Sequence, residues 1–185
     1  VNLSKHVTED GKLDRELLEE TINTAMRMLD NVVDLNFYPT NEAKNSNMKH
    51  RPIGLGIMGL QDALFKLNLP FDSLKALNFS DQLMEQISFH AISASSDLAR
   101  ERGAYKSFKG SKWDRGIFPL DSLTLLEEER GQNIDVNKIT SLDWEGLKAK
   151  VKENGMRNSN TMAIAPTATI SNIAGCYPCI EPIYK

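Results

Sequence analysis

The stretch Leu13, Leu17, Leu18, Ile22, Met26, Leu29 and Val32 repeats apolar residues at three- and four-residue steps, with acids and Arg27 between them. That period suits one face of an α-helix and no strand, so it commits the first fifth of the chain to an amphipathic helix from about Asp14 to Asp34. A second run, Leu83, Ile87, Ala91, Ala94 and Leu98, has the same spacing; Ser80 precedes it as an N-cap and Gly103 follows it as a stop. Shorter helices are predicted over Ile57–Leu67 and Ser122–Arg130. Another is predicted from Trp144 to Asn154, capped by Asp143 and closed by Gly155. The segments Pro39–Asn47 and Lys106–Pro119 read as loops.

Strand signals are sparse. Asn160–Pro166, "NTMAIAP", is a short apolar run ended by proline, and Arg51–Ile57, "RPIGLGI", is a second candidate. The expectation is an α/β chain, rich in helix, with a few buried strands and long connections. One domain, or part of one, accommodates 185 residues without repeats or low-complexity tracts. A net charge of −3 with dispersed basic residues gives no field for nucleic acid or an anionic membrane. No apolar run approaches the roughly 20 residues of a membrane span, and two cysteines are too few for a disulfide framework, which points to a cytoplasmic setting. The polar opening is no signal peptide, and the start at Val1 reads as the tail of a strand already under way.

Three segments could carry chemistry. Gly54–Gly59, "GLGIMG", satisfies G-x-G-x-x-G, but a dinucleotide site needs a hydrophobic strand leading into the first glycine. Here the lead-in is polar and broken by Pro52, so the glycines are read as permitting close packing. Met162–Ile173, "MAIAPTATISNI", runs from an apolar strand through Pro166 into small and hydroxyl-bearing residues. Free N–H groups there could hold an anion, helped by the hydroxyls of Thr167, Thr169 and Ser171, and Ala168 leaves the backbone accessible. A plain Thr-capped helix explains the same residues. Cys176 and Cys179 have the Cys-x-x-Cys spacing of dithiol oxidoreductases, yet Pro182 follows where a helix should lower the thiol pKa. Zinc would need about four ligands, and His6, His50 and His90 are scattered. They read as two loop cysteines without a catalytic role.

"MRNSNTMAIAPTATISNIAG", taken with "RPIGLGIMGLQDAL", "NFYPTNEAKNSN" and the terminal "IEP", resembles the large, catalytic subunit of class I ribonucleotide reductase over essentially the whole chain. The resemblance implies a fold: residues 1–185 as a partial stretch, truncated at both ends, of a ten-stranded α/β barrel made from two five-stranded halves. It also implies an activity, reduction of ribonucleotides to 2′-deoxyribonucleotides by a thiyl radical that abstracts the 3′-hydrogen. The radical cysteine, the reducing cysteine pair, the proton-handling glutamate and asparagine, the relay tyrosines and the allosteric sites are expected outside this stretch. No catalytic residue and no metal ligand is therefore assigned here. What carries over is the substrate diphosphate loop, matched as Pro166, Thr167, Ala168, Thr169 and Ile170, binding mainly through backbone N–H groups and the threonine hydroxyls. Some relatives have glutamate in place of Ala168 and serine in place of Ile170.

No cofactor is expected in this chain. The resemblance implies a metal-radical cofactor in a small partner subunit, ATP and dNTP effectors, thioredoxin or glutaredoxin as reductant, and a homodimer of large subunits. Two other readings stay open at this level: a cobalamin-dependent class II reductase with a similar "APT" loop, and a non-enzymatic helical module that binds phosphate.

Overall fold

A computed structural model describes residues 1–183. Its helices are α1 (Arg15–Leu35), α2 (Asn41–His50), α3 (Leu60–Lys66), α4 (Leu74–Arg102), α5 (Pro119–Arg130), α6 (Trp144–Asn154) and α7 (Ile170–Ala174), after a short 3-10 turn at Leu3–Lys5. Between them three extended stretches lie side by side and parallel, through the pairings Asn2 with Met58 and Leu55 with Met162. The N–H of Leu55 reaches the Thr161 carbonyl at 2.9 Å, and the N–H of Met58 reaches that of Val1 at 2.9 Å. The middle stretch, Ile53 to Met58, is thus flanked on both sides. Parallel neighbours need long crossovers, and α1 with α2, then α3 through α6, supply them. Each pairing is a single bridge, so among the described residues there are no extended strands and no closed barrel is visible.

Two glycines bring the middle stretch against its neighbour. A Cβ on Gly56 would lie 2.7 Å from the Ala163 carbonyl oxygen, and one on Gly54 would lie 2.8 Å from the Ala163 Cβ. Close packing, rather than a dinucleotide turn, is the use the fold makes of these residues. Gly56→Ala is expected to cost about 1–3 kcal/mol, because a backbone oxygen and not a flexible side chain must give way. Thermal unfolding of the variant checks this; an unchanged midpoint would contradict it.

Helices α1 and α6 form where periodicity and caps place them. The Asp14 carboxylate accepts from the Leu17 N–H at 3.0 Å and the Asp143 carboxylate from the Gly146 N–H at 2.9 Å. On α1 the buried residues are Leu18, Ile22, Met26, Asp30 and Val33, while Leu17 and Val32 are exposed. Leu18, Ile22 and Met26 of the predicted face are thus buried, with Leu13 and Leu29 packed beside them, and the face extends to Asp30 and Val33 instead of Leu17 and Val32. It packs on Leu83, Ile87, Ala91 and Ala94 of α4 to form the larger core. A second core gathers Ile92, Tyr105, Phe118, Leu147, Val151 and Met156.

Four boundaries differ from expectation. Helix α4 begins at Leu74, six residues before Ser80, capped by Ser73, whose hydroxyl oxygen accepts from the Ala76 N–H at 3.1 Å. Ser80 lies inside it and donates back to the Ala76 carbonyl at 2.8 Å, which lets serine sit in a helix interior. The predicted loop Pro39–Asn47 contains most of α2. That helix buries no residue and is fixed instead by the Thr40 cap and by Asn47, which donates to the Ala43 carbonyl at 2.9 Å. Helix α3 starts at Leu60 and not at Ile57, because Leu55–Met58 is committed to backbone pairing and Gly59 turns the chain at φ +75°. Helix α5 starts at Pro119 rather than Ser122, with the Asp121 carboxylate accepting from the Phe118 N–H at 2.8 Å.

One carboxylate ties the helices together. Asp30 on α1 is fully buried and accepts from Arg51 at 2.7 and 2.9 Å, from Arg102 at 3.1 Å, from Arg157 at 3.2 Å and from Asn158 at 3.1 Å. Asp34, one turn on, takes both Arg51 terminal nitrogens at 2.8 Å, and that guanidinium holds its carboxyl below the usual range. Asn158 also donates to the Arg51 carbonyl and exchanges hydrogen bonds with Ser95 of α4. The "RNS" and "RP" segments are therefore structural: they anchor the stretches at 53–58 and 161–163 to α1 and α4.

Candidate functional site

The third extended stretch leaves its partner after Ala163 and runs through Ile164 and Ala165 to Pro166, all solvent-exposed. Thr167 then takes φ +50°, a left-handed conformation that β-branched residues avoid. Such an outlier persists only where its surroundings hold it. Here the Thr167 carbonyl accepts from the Ser171 N–H at 2.9 Å, and its side-chain oxygen accepts from the Cys179 N–H at 2.7 Å. The turn opens the backbone before α7. Among the described residues the N–H groups of Ala168, Thr169 and Ile170 have no protein acceptor, and all three residues are exposed.

The five expected site residues are thus brought together as one short, accessible segment. Ser171 is not part of its surface: it is buried, and its hydroxyl turns back to the Ala168 carbonyl at 3.4 Å. The Thr167 hydroxyl keeps its own hydrogen free to donate while its oxygen is braced by Cys179. Beside the loop lies a cavity of about 400 Å³ walled by Met28, Leu29, Gly54, Ala163, Ala165 and Ile170. A larger cleft, about 570 Å³, lies between α4, α5 and the connection before α6. Its charged lining is Asp81 and Glu85, with no lysine or arginine, so it repels phosphate.

Cys176 and Cys179 are both free thiols. Burial, and then the nearby Asp62 carboxylate, push the Cys176 thiol up, the opposite of what a reactive dithiol requires. Their backbones matter more: the Cys176 N–H donates to the Ser171 carbonyl at 3.1 Å, as that of Cys179 does to Thr167. Because amides make these contacts, Cys176→Ser with Cys179→Ser is expected to leave the fold and its unfolding midpoint close to the parent's. A large fall in the midpoint would contradict this. The role of the pair as a brace was hidden in the sequence, where only the side chains attract notice. Among the described residues no group of three or more His, Cys, Asp or Glu side chains is placed to hold a metal, and no helix is long and apolar enough to cross a membrane.

Parallel stretches linked by helical crossovers, with a loop of free amides at the end of one of them, are the parts of an α/β architecture. The chain belongs to the ribonucleotide reductase family: the family described as "Ribonucleotide reductase, barrel domain" matches residues 1–185. It is 55% identical, over its whole length, to the ribonucleoside-diphosphate reductase subunit alpha of Chlamydia muridarum, covering 18% of that protein. It is 44% identical to the corresponding subunit of Helicobacter pylori, again over its whole length and covering 22% of the relative. Against the large chain of the Schizosaccharomyces pombe enzyme it is 39% identical over 94% of its residues, covering 20%. The chain thus spans about a fifth of the length of the curated relatives it matches.

Proposed function

We propose that this chain is a stretch of the barrel domain of a ribonucleoside-diphosphate reductase large subunit, and that Pro166, Thr167, Ala168, Thr169 and Ile170 hold the substrate's diphosphate. The observation that carries the site is the set of three free, exposed N–H groups at Ala168, Thr169 and Ile170, presented by a strained turn that two separate hydrogen bonds hold in place. Phosphate oxygens are strong acceptors, and backbone N–H donors serve them without a lysine. Ala168 adds no side chain beyond a methyl group, so a phosphate reaches the backbone there. The Thr167 and Thr169 hydroxyls supply further donors. The apolar cavity beside the loop gives the less polar part of a nucleotide a place to lie.

In this reading the loop supplies binding energy and position, and the radical chemistry belongs to residues outside this stretch. The complete enzyme would replace the ribose 2′-hydroxyl with hydrogen in the cytoplasm, as a homodimer of large subunits. A small subunit would carry the metal-radical cofactor, thioredoxin or glutaredoxin would return electrons, and ATP and dNTP effectors would act at other sites. The relatives' names, all ribonucleoside-diphosphate reductase, do not favour a cobalamin enzyme or a non-enzymatic module.

The test is turnover. The full-length subunit carrying this segment, mixed with its small subunit and a dithiol reductant, is expected to convert ribonucleoside diphosphates to their 2′-deoxy products. Product formation that requires added cobalamin and no small subunit would overturn the assignment.

A further inference from the structure

The phosphate loop does not stand alone: a chain of hydrogen bonds ties it to the first turn of α3. The Asp62 carboxylate accepts from the Tyr177 N–H at 2.7 Å across 115 residues of sequence. The Tyr177 carbonyl in turn accepts from the Gly59 N–H at 2.8 Å, so both backbone groups of this one residue are fixed to the "GLGIMGLQD" segment. Asn2 adds a third tie, donating to the Ala174 carbonyl at 3.2 Å. Tyr177 sits between the two cysteines whose N–H groups hold Thr167 and the Ser171 carbonyl, the two ends of the loop. Fixing Tyr177 therefore fixes both braces. The fit at this junction is tight, since a Cβ on Gly59 would lie 3.2 Å from the Cys176 Cβ.

We infer that Asp62 is a positioning residue for diphosphate binding: through the Tyr177 N–H it sets the Cys176–Cys179 segment, which holds Thr167 in its left-handed conformation and keeps the loop amides aimed outward. Asp62 touches no substrate in this scheme. It is half-buried and makes a charge-assisted bond to a main-chain donor, the stronger kind of hydrogen bond. Without that acceptor the Tyr177 backbone is held on one side only, and the loop samples arrangements in which its donors no longer converge. The cost falls on binding of the phosphates and leaves the chemical step untouched.

This inference rests on the phosphate-loop reading, and the experiment separates the two. In the full-length reductase, Asp62→Ala is expected to raise KM for a ribonucleoside diphosphate between about threefold and tenfold, with kcat within about twofold. Asp62→Asn keeps an acceptor oxygen and is expected to restore KM to within about twofold of the parent. A merely structural role would lower the unfolding temperature without this split between KM and kcat or its rescue by asparagine. Asp62→Leu, which keeps side-chain bulk, serves if the alanine variant does not fold. An unchanged KM in Asp62→Ala or Asp62→Leu, while Thr169→Pro raises it, overturns the positioning role and leaves the loop reading intact. An unchanged KM in Thr169→Pro as well overturns both.

Discussion

Asp30→Ala is expected to destabilise the fold by about 3–5 kcal/mol, the cost of leaving a buried charge without its partner. The carboxylate has no exposure, and the Arg51 side chain it neutralises is only 4% exposed. Removing it strands that guanidinium beside Arg102 and Arg157, with Asp34 alone to compensate, and takes an acceptor from Asn158. Total stability of a domain is only about 5–15 kcal/mol, so the variant gives up a large share of that margin. Soluble yield and the unfolding midpoint measure this. Asp34→Ala, at the exposed edge of the same network, is expected to cost far less, because water can replace what it offers. A small loss in Asp30→Ala, equal to that in Asp34→Ala, would show that Asp30 does not organise the junction of α1, α4 and the extended stretches.

The second large effect is on binding. Thr169→Pro deletes one of the three free N–H groups and disfavours the helical region for Ala168 just before it. Thr169 has φ −90°, close enough to proline's range that the rest of the chain can stay in place. A hydrogen bond to a charged group is worth about 1.5–3 kcal/mol, so KM for a ribonucleoside diphosphate should rise roughly tenfold to a hundredfold. Thr169→Ala retains the amide and loses only the hydroxyl, and its effect should be several times smaller. An unchanged KM in a properly folded Thr169→Pro enzyme would remove the loop from the substrate site.

Much of this was legible in the sequence, and the failures have physical causes. Helix α1 was read from its period and helix α6 from its caps, and the ends of both are found within a residue or two. Helix α2 buries nothing, and a helix without an apolar face leaves no period to read. In α4 two serines compete for the role of cap, and the inner one bonds back to its own helix. The Asp30 network could not be foreseen because its pairings reach over 21, 72 and 127 residues, and local pattern says nothing about which arginine meets which acid. The proposed phosphate loop stood out as an apolar run ended by proline and followed by small hydroxyl residues. Its braces did not, because they are main-chain groups of Cys176, Tyr177 and Cys179, which any residue except proline could supply.

The most direct measurement is a crystal structure of the full-length subunit with a ribonucleoside diphosphate bound. Phosphate oxygens are expected about 2.7–3.1 Å from the backbone nitrogens of Ala168, Thr169 and Ile170, with the Thr167 hydroxyl donating to the same group. A diphosphate held elsewhere, with those three N–H groups facing solvent, would contradict the assignment.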